Sequence, residues 1–191
     1  MSLYIFDMGE VLLLGVNTLR DIASAYGLDY KEFRVDYALY DKPLMEGYLH
    51  PRSYLEHLET KFDLSFDSDP FQVYFTPKLN ERVMGFVRTL RERGDRVVVG
   101  SNTFSPHWEI VFSRYKEIPL SFDALYASHE MHRVKPDKVF FSYILGKEGF
   151  RAEDSYFIDD RSDNINSSSS LGIHSYEYHG DDENLAKFIR I

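Results

Sequence analysis

The chain has 191 residues, 43% of them hydrophobic, a formal net charge of −9 and no cysteine. That length suits one domain of ordinary size with a small inserted subdomain, and it is enough to bury a real core. The acidity argues against nonspecific attraction to nucleic acid or an anionic membrane surface, the lack of cysteine removes disulfides and thiolate metal ligands, and no apolar stretch approaches the roughly 20 residues of a membrane span.

Met1-Ser2-Leu3 runs directly into the first apolar segment, Leu3–Phe6, without the basic-then-apolar pattern of a signal peptide, so a cytoplasmic location is expected. Leu3–Phe6 reads as a strand, and it ends on Asp7. About sixty residues, Gly15 to Tyr74, then intervene before the next helix that leads to a strand, far more than an ordinary βα connection. Helical periodicity in Leu19–Tyr26, Phe33–Leu39 and Tyr54–Leu58, with breaks at Pro43, Gly47 and Pro51, predicts an inserted helical cap over 15–74. Pro77 through Arg93 reads as a helix with Thr76 as its cap, Val83, Phe86, Val87 and Leu90 on one face, and Gly94 as its stop.

The second strand is Val97–Gly100, followed by Ser101-Asn102-Thr103 and a helical stretch over Phe104–Tyr115, in which Trp108 anchors the helix. Ala124–Ala127 gives a third strand. Asp137 is placed to cap a helix whose buried stripe is Phe140, Phe141, Ile144 and Leu145. Tyr156–Ile158 is a fourth strand, ending on Asp159-Asp160. Ser167–Ser170 read as small residues on a close-packed helix or its end, with disorder as the alternative, and Ile173–Tyr178 could close one side of the sheet. The alternation is that of an α/β protein with a parallel sheet and helices on both faces, its core formed by 1–14 and 75–191; no internal repeat is evident.

A carboxylate at the end of a buried strand, at the crevice of an open α/β sheet, is where such folds place chemistry. A carboxylate can attack the phosphorus of a phosphate monoester, but the two repel, so positive charge has to be built in, and magnesium with oxygen ligands supplies it. Asp7, Asp159 and Asp160 provide carboxylates, Lys135 an ammonium, and Ser101 or Thr103 a hydroxyl with nearby backbone N–H groups for phosphoryl oxygens. Each part also has a plainer reading: strand-end aspartates turn chains or cap helices, Ser101-Asn102-Thr103 can cap Phe104–Tyr115, and a lysine before a proline is usually solvated. All four in one order are far more informative than any one.

The order and spacing of Asp7-Met8-Gly9-Glu10-Val11, Ser101-Asn102-Thr103, Lys135-Pro136 and Asp159-Asp160 resemble the four motifs of the haloacid dehalogenase-like hydrolase superfamily, across nearly the whole chain. The Asp-x-Gly opening and Glu46-Gly47-Tyr48-Leu49 resemble a bacterial branch that includes α-D-glucose-1-phosphate phosphatases. The resemblance implies a Rossmann-like core with a cap of the C1 type, and a phosphatase acting on a small phosphorylated metabolite, a sugar phosphate foremost, through an aspartyl-phosphate. It implies Asp7 as nucleophile, Ser101 binding the phosphoryl group with help from Asn102, and Lys135 stabilising charge. Mg2+ would be held by Asp7, the Gly9 carbonyl and Asp160, with Asp159 helping directly or through water; Asn164 falls where the family often has a supporting polar group.

Gly9 departs from that pattern, because most phosphatases of the superfamily carry an acid/base aspartate there. General acid–base help contributes about 10²–10⁴-fold, so its loss slows turnover without abolishing attack, and least for a good leaving group such as an anomeric sugar phosphate. Glu10, Glu46, His50 and His57 are the nearby replacements to consider, against surface, hinge or packing roles. Tyr37, Tyr40, Tyr48 and Tyr54 could contact a sugar or serve cap packing. A regulatory protein that binds phosphate without turnover is the alternative Gly9 keeps open; 2-haloacid dehalogenation is disfavoured by Asp159-Asp160.

Overall fold

A computed structural model describes all 191 residues. The first strand, β1 (Leu3–Phe6), is buried at every position, and a tight turn follows it in which Leu12 N and Leu13 N both donate to Met8 O. The turn delivers β2 (Leu13–Leu14), after which come α1 (Leu19–Ala25), α2 (Tyr30–Met45), α3 (Pro51–Phe62) and the single turn α4 (Pro70–Val73). Then β3 (Lys78–Leu79) pairs antiparallel with β2, so the intervening segment leaves the core and returns to it at one two-stranded ribbon. Its helices share a hydrophobic cluster of their own, with Ile22, Phe33, Leu44, Tyr54, Leu58 and Phe71, to which Phe104 is the contribution from after the ribbon.

The remaining elements are α5 (Glu81–Glu92), β4 (Arg96–Ser101), α6 (Ser105–Arg114), α7 (Glu117–Ser121), β5 (Ala124–Ala127), α8 (Ser128–Met131), α9 (Lys138–Glu148), a 3-10 turn, β6 (Ser155–Asp159), α10 (Ser162–Ser169), β7 (His174–Glu177) and α11 (Asp182–Phe188). The five long strands form one parallel sheet in the order β5-β4-β1-β6-β7. Side chains alternate across it: Tyr4, Phe6, Val97 and Val99 face one core with α5 and α6, while Leu3, Ile5, Val98 and Phe157 face the other with Phe140, Phe141 and Ile144 of α9. This is the expected α/β, Rossmann-like sheet with helices on both faces. No helix is long and apolar enough to cross a membrane.

Three local expectations are corrected, and one plainer reading is set aside. The helix read over Pro77–Arg93 begins only at Glu81: Asn80, not Thr76, is its cap, accepting from Val83 N, and Lys78-Leu79 are drawn into the ribbon by pairing with β2. Pro43 does not break its helix but lies in the last turn of α2, where its missing N–H forfeits a single bond. Asp137 sits at the start of α9 without a side-chain capping bond; its carboxylate instead lies 3.6 Å from Lys42 Nζ. The cap position of α6 is Phe104, also without a side-chain bond, so Ser101-Asn102-Thr103 is not capping chemistry. The serine run is helical, in α10, and Trp108 is packed in the core.

The inserted helices also touch the core beyond the ribbon. At the end of α2, Gly47 has φ +70°, and a Cβ there would lie 2.3 Å from the His129 carbonyl oxygen. His132 Nδ1 bonds the Glu46 carbonyl at 2.7 Å, and the His132 ring stacks on Tyr48 at 5.1 Å. On α6, His107 stacks on Phe75 at 4.1 Å with its Nε2 buried and unpartnered, and burial pushes its pKa down to about 3.

Two measurements follow from these contacts. Gly47→Ala should lower stability by more than the roughly 1–2 kcal/mol of left-handed backbone strain, which Gly27→Ala, with φ +65° and open space around it, should show alone; urea denaturation compares them. His107 stays neutral in the fold but protonates in the unfolded chain below about pH 6.5, so its contribution is present above that value and lost as pH falls toward 3. The wild type should lose up to about 1.4 kcal/mol per pH unit there that His107→Phe does not lose.

Candidate active site

The parallel register fixes the site before any side chain is placed. Phe6 is level with Val99 and Ile158, so the residues that follow them, Asp7, Gly100 and Asp159, come level with one another at or beside the ends of three adjacent strands, on one edge of the sheet. Lys135, on the segment between α8 and α9, reaches into that edge with its side chain 1% exposed. Its Nζ donates to Asp7 Oδ1 at 2.6 Å, Asp159 Oδ2 at 2.7 Å and Gly100 O at 2.9 Å. An ammonium has three donors, and all are used. Lys135 therefore acts on the site through position and charge.

Burial pushes the Asp7 carboxyl up, to about 7, with the charge of Asp159 adding to it and Lys135 pulling against it. Burial works against the Lys135 ammonium, but Asp159 and Asp7 outweigh it and raise its pKa above the usual lysine value. Asp159 is fully buried and saturated: Oδ1 accepts from Arg161 N at 2.9 Å and Asn164 Nδ2 at 2.9 Å, while Oδ2 takes Lys135 and a second contact from Asn164. Asp160 is half-buried, and burial and Asp159 raise its pKa.

Three carboxylates against one ammonium leave the cluster two negative charges in excess when all are ionised. The carboxylates of Asp7, Asp159 and Asp160 offer oxygen atoms within 4.8 Å of one another, a hard-donor set suited to a divalent cation. Asn164 Oδ1, beside them, is buried without a partner, and a water on such a cation would satisfy it. The residues present thus fit a magnesium ion. Asp7 and Asp160 have the freer carboxylates, and Asp159 is committed to holding Lys135.

The Ser101 loop is held from behind. Asn102 makes a reciprocal pair with the Lys135 backbone, its Nδ2 donating to Lys135 O at 2.9 Å and its Oδ1 accepting from Lys135 N at 2.8 Å. Its side chain is spent on Lys135. Thr103 N donates to Ser128 Oγ at 2.9 Å, and that hydroxyl donates back to Thr103 O. Ser128 was not among the residues singled out in the sequence, although its place just after β5 marks a strand end at the same edge. Ser101 and Thr103 are both buried there.

The candidates for the missing acid are dispersed. Gly9 follows Asp7 at the edge, and a Val16 methyl lies 3.3 Å from where its Cβ would be. The Glu10 carboxylate accepts from Gly15 N and Val16 N, and its charge reaches Asp160. His50 caps α3 by accepting from Arg52 N, and His57 bonds the buried Asp36 alongside Lys61 and Tyr54. Tyr37, Tyr40 and Tyr54 pack on one another or on neighbouring rings, whereas Tyr48 is largely exposed.

The sequence model of the haloacid dehalogenase-like hydrolases matches residues 1–172. The chain belongs to the haloacid dehalogenase-like hydrolase family. Its fold is similar to that of a predicted HAD-like hydrolase from Porphyromonas gingivalis, with a TM-score of 0.82 at 20% identity over 100% of this chain and 98% of that one. It is similar also to a HAD-family enzyme from Bacteroides thetaiotaomicron solved with magnesium and inorganic phosphate, with a TM-score of 0.79 at 19% identity over 95% and 96% of the two chains. An L-2-haloacid dehalogenase aligns less closely, with a TM-score of 0.64 at 16% identity over 92% and 83%. In sequence, 109 residues are 33% identical to a drimenol cyclase from Aspergillus calidoustus, covering 56% of this chain; the match spans only 20% of that longer protein.

Replacing Lys135 by methionine removes the one cation shared by two buried carboxylates. Lys135→Met should cost about 3–5 kcal/mol at pH 7 in urea denaturation, because Asp159 is left buried without its cation and Asp7, whose carboxyl Lys135 holds down, has to take up a proton. A loss below about 1 kcal/mol would show that solvent reaches and screens the pair.

Proposed function

We propose that this hydrolase is a magnesium-dependent phosphatase of small phosphorylated metabolites, with a sugar phosphate as the leading substrate class. The observation that supports it best is the Lys135 bridge between Asp7 and Asp159 beside Asp160. It keeps a buried carboxylate available at a strand end while leaving room in the charge balance for a divalent cation. The phosphate and magnesium bound by the Bacteroides neighbour agree with this reading.

In this reading Asp7 is the nucleophile. Lys135 fixes Oδ1, so Oδ2 is the oxygen free to attack phosphorus in line with the ester oxygen; the P–O ester bond breaks and an aspartyl-phosphate forms, which water then hydrolyses. Asp7, the Gly9 carbonyl and Asp160, with Asp159 behind them, would hold the magnesium ion, which would supply positive charge for the phosphoryl oxygens. Ser101 and Thr103 offer hydroxyl and N–H donors to the same oxygens, and Asn102 acts by positioning Lys135. Residues 15–74 form the cap that limits water over the site. The sugar-phosphate class rests on Gly9 and on the likeness to the glucose-1-phosphate phosphatase branch, since an anomeric leaving group depends least on a proton donor.

Phosphate release from a panel of sugar phosphates, with and without magnesium, tests this. The wild type should release phosphate only with the metal, and Asp7→Asn should lower the rate by at least about 10³-fold, the scale of losing a nucleophile. Tight phosphate binding without release by either protein would favour a sensor, the reading that the glycine at position 9 supports.

A further inference from the structure

Resting on the phosphatase reading, the geometry points to a proton donor on the inserted helices. We propose that Asp41 of α2 protonates the leaving oxygen, in place of the carboxylate absent at position 9.

Elimination carries the first part of the case. Apart from Glu130 of α8, which is exposed, the other carboxylates near the junction of α2 and the sheet edge are engaged. Glu10 closes its own loop onto Gly15 and Val16. Asp36 is taken by Lys61, His57 and Tyr54 within the inserted helices. Glu46 and Asp137 both lie within 3.7 Å of Lys42 Nζ. Asp159 is saturated, and Asp160 belongs to the metal set.

Placement carries the second part. Lys42, the next residue along α2, reaches Asp137 at 3.6 Å, which sets this turn of the helix over the segment that follows Lys135. Tyr37 and Asp41 are four residues apart and share a helix face, and Leu44, three residues further, is buried on that side with Phe104, which directly follows the Ser101 loop. The Tyr37 ring is fixed between Tyr54 at 5.9 Å and Phe71 at 6.0 Å, and its hydroxyl neighbours the Asp41 carboxylate. From the core, Arg161, adjacent to Asp160, acts on Asp41 through its charge. Burial pushes the Asp41 carboxyl up, with Tyr37 and Arg161 opposing, so it retains a proton to higher pH than an exposed aspartate.

The proton balance is simple. As the Asp7 Oδ2–P bond forms and the ester P–O bond breaks, the carboxyl proton of Asp41 passes to the departing oxygen, and the product leaves as an alcohol. The Asp41 carboxylate then takes a proton from the water that attacks the aspartyl-phosphate, which restores the starting state.

Leaving-group dependence separates this role from a structural one. p-Nitrophenol departs as a stable anion, whereas a primary sugar alcohol requires the proton. Asp41→Asn should lower kcat/KM for a 6-phosphorylated hexose at least about 10²-fold more than for p-nitrophenyl phosphate, and Asp41→Glu should recover part of the difference. Equal losses on both substrates, or none on either, would overturn the role of Asp41 while leaving the phosphatase reading intact. Failure of the wild type on both of these substrates and on the whole sugar-phosphate panel would remove the phosphatase reading, and the proton donor with it.

Discussion

One ammonium ties together the working edge of this molecule. Lys135 bonds to the residue that follows β1, the residue that ends β6 and a carbonyl near the end of β4, so three neighbouring strands share a single buried cation. Removing these charges from water is costly, and the arrangement is sustained only because each partner is satisfied. Lys135 uses all three donors, and Asp159 is surrounded by Asn164 and the Arg161 N–H. The reciprocal pair between Asn102 and the Lys135 backbone then locks the segment that carries the lysine to the loop that follows β4. The positions of Asp7, the acidic pair and the Ser101 loop are thus not independent features of the fold.

Much of this was legible in the sequence, for identifiable reasons. Strands buried on both faces are written as short continuous apolar runs, so Leu3–Phe6, Val97–Gly100 and Tyr156–Ile158 declared themselves together with the residues at their ends. What stayed hidden depends on partners distant in the chain. Lys78-Leu79 lie beside a proline that favours a helix start, and only pairing with Leu13-Leu14, some sixty residues earlier, makes them a strand. Asn102 looks like a phosphate contact when read beside Ser101, yet its side chain is committed to a backbone 33 residues away. Asp41 carries no motif and is distinguished only by what the folded chain brings around it.

The glycine at position 9 is a feature of shape as well as chemistry. With a Val16 methyl 3.3 Å from where a Cβ would begin, the loop after β2 packs closely over the turn that follows Asp7. A side chain at position 9 would need that valine to yield. The loss of a carboxylate there is therefore coupled to how the chain departs toward α1, and a substitution restoring aspartate would have to repack the departure as well.

The same few peptide groups also tether the inserted helices. Leu13 belongs both to the turn, through its bond to Met8 O, and to the ribbon, through its pairing with Leu79, while Leu12 O accepts from Asn80 N as the chain returns. Asn80 also donates to Val11 O and to the Tyr178 hydroxyl, anchoring that return to the core. Any tilt of α1–α3 about this ribbon acts on Met8–Leu13, immediately after Asp7. At the far end, the approach of Gly47 to His129 and the bond from His132 to Glu46 hold α2 against the segment that follows β5. Between these two attachments lies the turn of α2 that bears Asp41 and Lys42, so its height above the sheet edge is set by the ribbon at one side and by a glycine contact at the other.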